Sequence, residues 1–261
     1  MMLKDKVAVI YGGGGAVGSA VARAFAPEGA RLFLTGHKLA PVEVVAKEIV
    51  SAGGSAEAAE IDALDEQAVD EHLRSVTARA GRVDISFNAV GIPDTNIVGV
   101  PLVDLDVEQF SLPIAAYATS YFLTARLAAR RMVPNGSGVI MTVTAIPARR
   151  GTPLNGGYGL AQAAKEALTR ELSAELAPHG IRVVGVRPHG MPETGSLKEV
   201  FEAKAFDMTW EQWQELLAST THARRVSTLE EMANVVAFMA FDQASGVTGT
   251  TVNLTMGSLD D

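Results

Sequence analysis

The chain has 261 residues, a net charge of −8 and 48% hydrophobic residues, which suits one α/β domain with a sizeable core. The acidic balance and the lack of a Lys/Arg run exclude nucleic acid or an anionic membrane as the main partner, and point to a small molecule. With no cysteine, disulfides, thiol catalysis and thiolate metal sites are excluded as well.

Short apolar runs alternate with longer helical patterns along the chain. Strands are predicted at "VAVIY" (7–11), "RLFL" (31–34), "SAEAAEI" (55–61), "VDISF" (83–87), "GVIMTV" (138–143), "IRVVGV" (181–186) and "TTVNL" (250–254). Continuous apolar runs of this kind are buried on both faces. The helical patterns between them, several closed by glycine, make βαβ units, so the expected fold is a single doubly wound, Rossmann-type parallel sheet of about seven strands. Its ligand crevice belongs at the carboxyl ends of the strands. Residues 188–222 read as an irregular insertion over that crevice, in the position of a substrate lid. No apolar run reaches the ~18 residues of a membrane span, and the N-terminus enters a strand directly, so a cytoplasmic protein is expected.

The turn "YGGGGAVGSA" lies between the first strand and the first helix, where Gly13, Gly15 and Gly18 satisfy G-x-G-x-x-G. Glycines there let the backbone approach a pyrophosphate, whose charge the helix N-terminus stabilises. Gly12, Gly14, Gly15, Ala16, Val17 and Gly18 are therefore expected on a dinucleotide. The second strand ends in "LFLTGHK", with no acid for a ribose hydroxyl but with His37 and Lys38, which favours NADP over NAD.

These motifs, with "NAVG" (88–91), "KEALTRELSAELAPHGIRVVGVRP" and "SGVTGTTVNL", resemble the short-chain dehydrogenase/reductase family over nearly the whole chain. The resemblance implies a nicotinamide dinucleotide and a homotetramer built on the fourth and fifth helices. It also implies cofactor contacts from Asp62, Asn88, Ala89, Val90, Pro188, His189 and Thr194. Departures fall at functional positions: Ala16 stands for the middle glycine of the turn, Ala89 for an asparagine, and His189 for the glycine after Pro188. Of the family's Asn-Ser-Tyr-Lys set, Tyr158 is retained, while Tyr117, Ala145 and Gln162 occupy the other three positions.

A phenol titrates near ~10, and a cation within ~4–6 Å is what would lower it, which Gln162 cannot do. Lys165 shares a helical face with Tyr158 and Gln162 by the i, i+4, i+7 rule. Seven residues span ~10.5 Å of axis, so its ammonium is expected nearer Gln162 than Tyr158. Either it serves Tyr158 or it pairs with Glu166, Glu171 or a subunit neighbour. The Tyr-x6-Lys spacing is also that of enoyl reductases in the same superfamily, although "YGLAQ" matches their "MGLAK" and would set their tyrosine on Asn155. Thr144 neighbours the vacated serine position but should face the other side of the sheet. Arg149 and Arg150 stand at the cleft mouth, able to clamp an anionic substrate, and His189 is a second proton donor in reach. Trp210 and Trp213 read as packing. His37, His72, His179 and His222 are too scattered for a metal. Two readings stay open: an NADP-dependent oxidoreductase of a carbonyl or alcohol with Tyr158 as residual acid/base helped by Lys165, His189 or water, or a catalytically silent or repurposed nucleotide-binding member of the fold.

Overall fold

The computed structural model describes residues 1–93, 97–204 and 206–260. Its elements run β1 (Val7–Tyr11), α1 (Ala16–Phe25), β2 (Arg31–Gly36), α2 (Leu39–Ser51), β3 (Ser55–Glu60), α3 (Glu66–Ala80), β4 (Ile85–Asn88), α4 (Val107–Met132), β5 (Gly138–Val143), α5 (Tyr158–Leu176), β6 (Ile181–Pro188), α6 (Gly195–Lys204), α7 (Trp210–Ser219), α8 (Leu229–Ala240) and β7 (Thr250–Leu254). The seven strands form one parallel sheet in the order β3-β2-β1-β4-β5-β6-β7. The order reverses between β1 and β4, which opens a crevice at their carboxyl ends.

Alternation along β1 shows how the sheet divides the core. Ala8 and Ile10 pack with α1, α2 and α8 on one face, while Val7, Val9 and Tyr11 pack with α3, α4 and α5 on the other. β4 begins two residues later than its apolar run suggests. The carboxylate of Asp84 accepts a hydrogen bond from the Val7 N–H at 2.8 Å, while its own N–H donates to the Val7 carbonyl at 2.9 Å and its carbonyl accepts from the Val139 N–H at 2.8 Å, so side chain and main chain together join the three strands there. Residues 188–222 are a correction to the irregular insertion expected: they carry α6 and α7, with Ala205 outside the described residues. Thr209 and Gln212 close a capping box on α7, and Phe201, Phe206, Trp210 and Trp213 stack on one another with ring centroids 5.3–5.9 Å apart.

The helix starts differ in a way that bears on function. Asp65, Asp106, Thr209 and Thr228 cap α3, α4, α7 and α8 with their side chains. Helices α1 and α5 begin instead at Gly15 and Gly157, with no side-chain cap and no acid in the first turn. At α1 the first N–H groups and positive dipole end are left for something else, whereas at α5 the Tyr158 N–H already donates to the Asn155 carbonyl at 3.0 Å.

Candidate active site

A cleft of about 300 Å³ opens at the carboxyl ends of the strands. Val17 reaches it from α1, Ala89 to Gly91 from the segment after β4, Tyr117 from α4, and Thr144 to Pro147 with Arg150 from the segment after β5. Tyr158, Gln162 and Lys165 enter from α5, Pro188 to Met191 and Thr194 after β6, and Leu197, Val200, Lys204, Trp213 and Leu217 from α6 and α7.

The turn after β1 has the shape its glycines imply. Gly12 takes a φ of +76°, and a Cβ on Gly18 would fall onto the Gly12 carbonyl, so α1 can start this close to β1 only without a side chain. Gly15 and Ala16 are exposed at the uncapped end of α1. These features fit a pyrophosphate. Asp62, His37 and Lys38 lie farther along the strand ends, outside the cleft, with His37 Nδ1 4.0 Å from Asp62 Oδ2. Glu60 adds a carboxylate the sequence reading missed, accepting the Leu39 N–H at 3.0 Å beside Lys38. Asn88 is buried, donates to Thr124 Oγ1 at 3.1 Å and accepts from Val90 N–H at 3.4 Å, so its amide ties β4 to α4.

The ring of Tyr158, first residue of α5, meets that of Tyr117 edge to face at 5.6 Å and 81°. The Tyr117 hydroxyl accepts from Ile92 N–H at 3.4 Å, so its ring is anchored to the segment after β4. Behind it lies Lys165, 1% exposed, donating to the Val143 carbonyl at 2.6 Å and standing 5.6 Å from the Tyr117 ring centroid. Within the described residues of one chain it forms no ion pair with Glu166 or Glu171, the two intramolecular partners expected for it. Burial brings its amine down to about 7. The Tyr117 ring therefore bridges Lys165 and Tyr158, a cation–π face on one side and an aromatic edge on the other.

Glu166 turns the opposite way. Its Oε1 accepts from Arg187 Nε at 2.8 Å and from Thr144 Oγ1 at 3.1 Å, an ion pair with both partners 3% exposed. The Thr144 hydroxyl is thus engaged, and Ala145 offers the cleft only a methyl group. Gln162 is buried on the same cleft wall. The signal for this pair was an arginine inside the apolar run "IRVVGVRP", a charge that has to find a carboxylate.

His189 is 3% exposed, and neither ring nitrogen makes a hydrogen bond. Burial lowers its proton affinity, the Gly190 backbone opposes that, and the charge of Arg150 lowers it further. Lys204 latches α6 to the segment before α5, donating to Asn155 Oδ1 at 2.6 Å and to the Pro153 carbonyl at 2.8 Å. Arg149, unlike Arg150, does not reach the cleft. Among the described residues no His, Asp and Glu side chains cluster as a metal site, and no helix is long and apolar enough to cross a membrane.

This fold and site define a class, and comparison with known proteins agrees with it. A family model described as enoyl-(acyl carrier protein) reductase matches residues 14–258. An uncharacterized oxidoreductase of Bacillus subtilis (strain 168) is 30% identical over 250 residues, covering 96% of this chain and 89% of the relative. The 7alpha-hydroxysteroid dehydrogenase of Escherichia coli (strain K12) is 29% identical over 261 residues, covering 100% and 97%. The crystal structure of an NAD+-bound xylitol dehydrogenase superposes with a TM-score of 0.92 at 25% identity, covering 98% of this chain and 100% of that one. The chain belongs to the short-chain dehydrogenase/reductase family, oxidoreductases that act on alcohols and carbonyls with a nicotinamide dinucleotide.

Proposed function

We propose that the protein is an NADP(H)-dependent oxidoreductase interconverting an alcohol and a carbonyl compound, with Tyr158 giving the proton to the substrate oxygen or taking it away. The observation that carries this reading is the placement of Tyr158 at the uncapped start of α5, in a cleft shared with the residues after β4 and β6. Relatives named for a hydroxysteroid and for xylitol support an alcohol as one partner of the reaction.

Bound along the strand ends, a nicotinamide dinucleotide supplies or accepts the hydride. The α1 N-terminus suits its pyrophosphate, and Ala89, Val90, Pro188 and Thr194 suit its nicotinamide end. His37 and Lys38 attract a 2′-phosphate, against the opposing charges of Asp62 and Glu60. The dipole of α5 favours the phenolate form of Tyr158. Lys165, whose amine burial brings down to about 7, adds positive charge behind Tyr117 when protonated and then lowers the cost of that phenolate. Helices α6 and α7 serve as the lid that excludes water from the reacting atoms. Leu112 and Phe122 on α4 and Leu160 on α5 are exposed, which supports assembly into a homotetramer through those helices. Light scattering at micromolar concentration checks the assembly.

One observation favours the silent reading: Ala145 and Gln162 present no hydroxyl and no cation to the cleft. An absent oxyanion donor typically costs ~10²–10³ in rate. NADPH oxidation against a carbonyl panel decides between the two. Under the oxidoreductase reading the wild type turns over, and Lys165→Ala binds NADPH but does not. Under the silent reading the wild type is inert, and Ala145→Ser with Gln162→Lys together, but neither alone, give turnover that Tyr158→Phe abolishes.

A further inference from the structure

We infer that the substrate of this cleft carries a carboxylate, held between Arg150 and His189; the inference rests on the oxidoreductase reading and names the class of molecule it acts on. Charge is the first observation. The chain has 30 Asp and Glu against 22 Lys and Arg, yet the described residues lining the cleft include Arg150, Lys165 and Lys204 and no carboxylate. Glu166, behind Thr144, is neutralised by Arg187. Among the described residues the acids are thus kept out of this concave surface, which makes its described lining complementary to an anion.

The second observation is which donors remain open. Lys165 is already tied to the Val143 carbonyl and Lys204 to Asn155 and Pro153. Among the described residues the guanidinium of Arg150 has no protein partner, although its charge disfavours protonation of His189. His189 itself is buried in the cleft wall with both ring nitrogens unpartnered. A buried imidazole without a bonding partner carries the cost of its lost water contacts, and His189 is one of the residues that line the cleft.

The third is the match in number and setting. A neutral imidazole gives one N–H and a guanidinium gives a planar fork, which together satisfy the two oxygens of a carboxylate. A dianionic phosphate would call for more donors than this pair has. The cofactor's own phosphates belong at the β1–α1 turn, which contributes only Val17 to the cleft. Ile146, Met191, Leu197 and Trp213 supply an apolar wall for the rest of the substrate. The class indicated is an oxo acid or hydroxy acid with an aliphatic body.

Both tryptophans lie in the α6–α7 region and Trp213 lines the cleft, so tryptophan emission reads occupancy without turnover. The test is a titration of the intact protein, with and without NADP+, using 2-oxooctanoate, its methyl ester, 2-octanone and hexylphosphonate. The acid should bind at least tenfold tighter than ester or ketone. Arg150→Gln should bring the acid to the level of the ester, Arg150→Lys should keep part of the difference, and His189→Leu should weaken the acid more than the ketone. Arg150 is exposed, and thermal melting of each variant separates lost binding from lost fold. Equal binding of acid and ester, tighter binding of the phosphonate, or an Arg150→Gln variant that still prefers the acid each overturns the inference. Acid binding without NADPH turnover would leave it standing and remove the oxidoreductase reading, whereas turnover of ketone and acid alike with equal affinities would do the reverse.

Discussion

Lys165 and Glu166 are neighbours on α5 and both are buried, yet they enter two different environments. On the Glu166 side, a carboxylate, a guanidinium and a hydroxyl satisfy one another between α5, β5 and β6. On the Lys165 side an amine has one carbonyl and the face of a ring, with no counter-charge. Each arrangement carries the desolvation cost of a buried ionisable group, but only the first offsets it inside the protein. The comparison teaches where to look for chemistry: the satisfied side holds three elements together, and the unsatisfied side opens on the cleft.

The two sides should respond to truncation with opposite signs. Glu166→Ala removes the carboxylate that pairs with the buried Arg187 and should cost ~3–5 kcal/mol in urea unfolding, the largest effect expected here. A loss within ~1 kcal/mol would mean that the pair does not hold the sheet to α5. Lys165→Met should instead stabilise, by roughly 2–4 kcal/mol at pH 7. The sign follows from the amine being pulled down to about 7 in the folded protein while the unfolded chain keeps an ordinary lysine. Between those values the unfolded state binds the extra proton, so wild-type stability rises with pH and the advantage of methionine fades toward pH 10. Urea midpoints at pH 7 and pH 9.5 check this, and the same variant should lose turnover.

Tyr158→Phe sharpens the functional half of the contrast. It should lower kcat by ~10²-fold or more with cofactor binding unchanged, as stopped-flow NADPH titration can establish. The smallest effect concerns cations that face water. His37→Ala with Lys38→Ala should reduce the NADPH over NADH preference by about tenfold or less, and added salt should erode it in the wild type.

The sheet was legible because its evidence is local: uninterrupted apolar runs and a glycine turn between a strand and a helix. The start of β4 was not, since Asp84 meets Val7 and Val139 through both side chain and main chain, contacts with distant parts of the sequence. Helices α6 and α7 were hidden behind a polar composition, although the Thr209 and Gln212 pair marks a capping box in the sequence itself. At the site, Tyr158, Ala145 and Gln162 could be located by position within short motifs. The path of Lys165 could not, because periodicity assigns a face of a helix and leaves open whether a long side chain runs along it or down to the end of β5. Nor could the orphaned imidazole of His189 be foreseen, since having no partner is a property of everything packed around it.

Gly157, just ahead of Tyr158, lies so close to α4 that a Cβ there would fall onto the Phe110 carbonyl. Main chain touches main chain at this crossing, one turn from the exposed Val107 and Leu112 at the start of α4. A stiff contact without side chains transmits displacement and cannot absorb it by changing rotamer. Whatever settles on that end of α4, a second copy included, therefore gains a mechanical lever on the phenol, and its kinetic sign would be specific activity that varies with protein concentration.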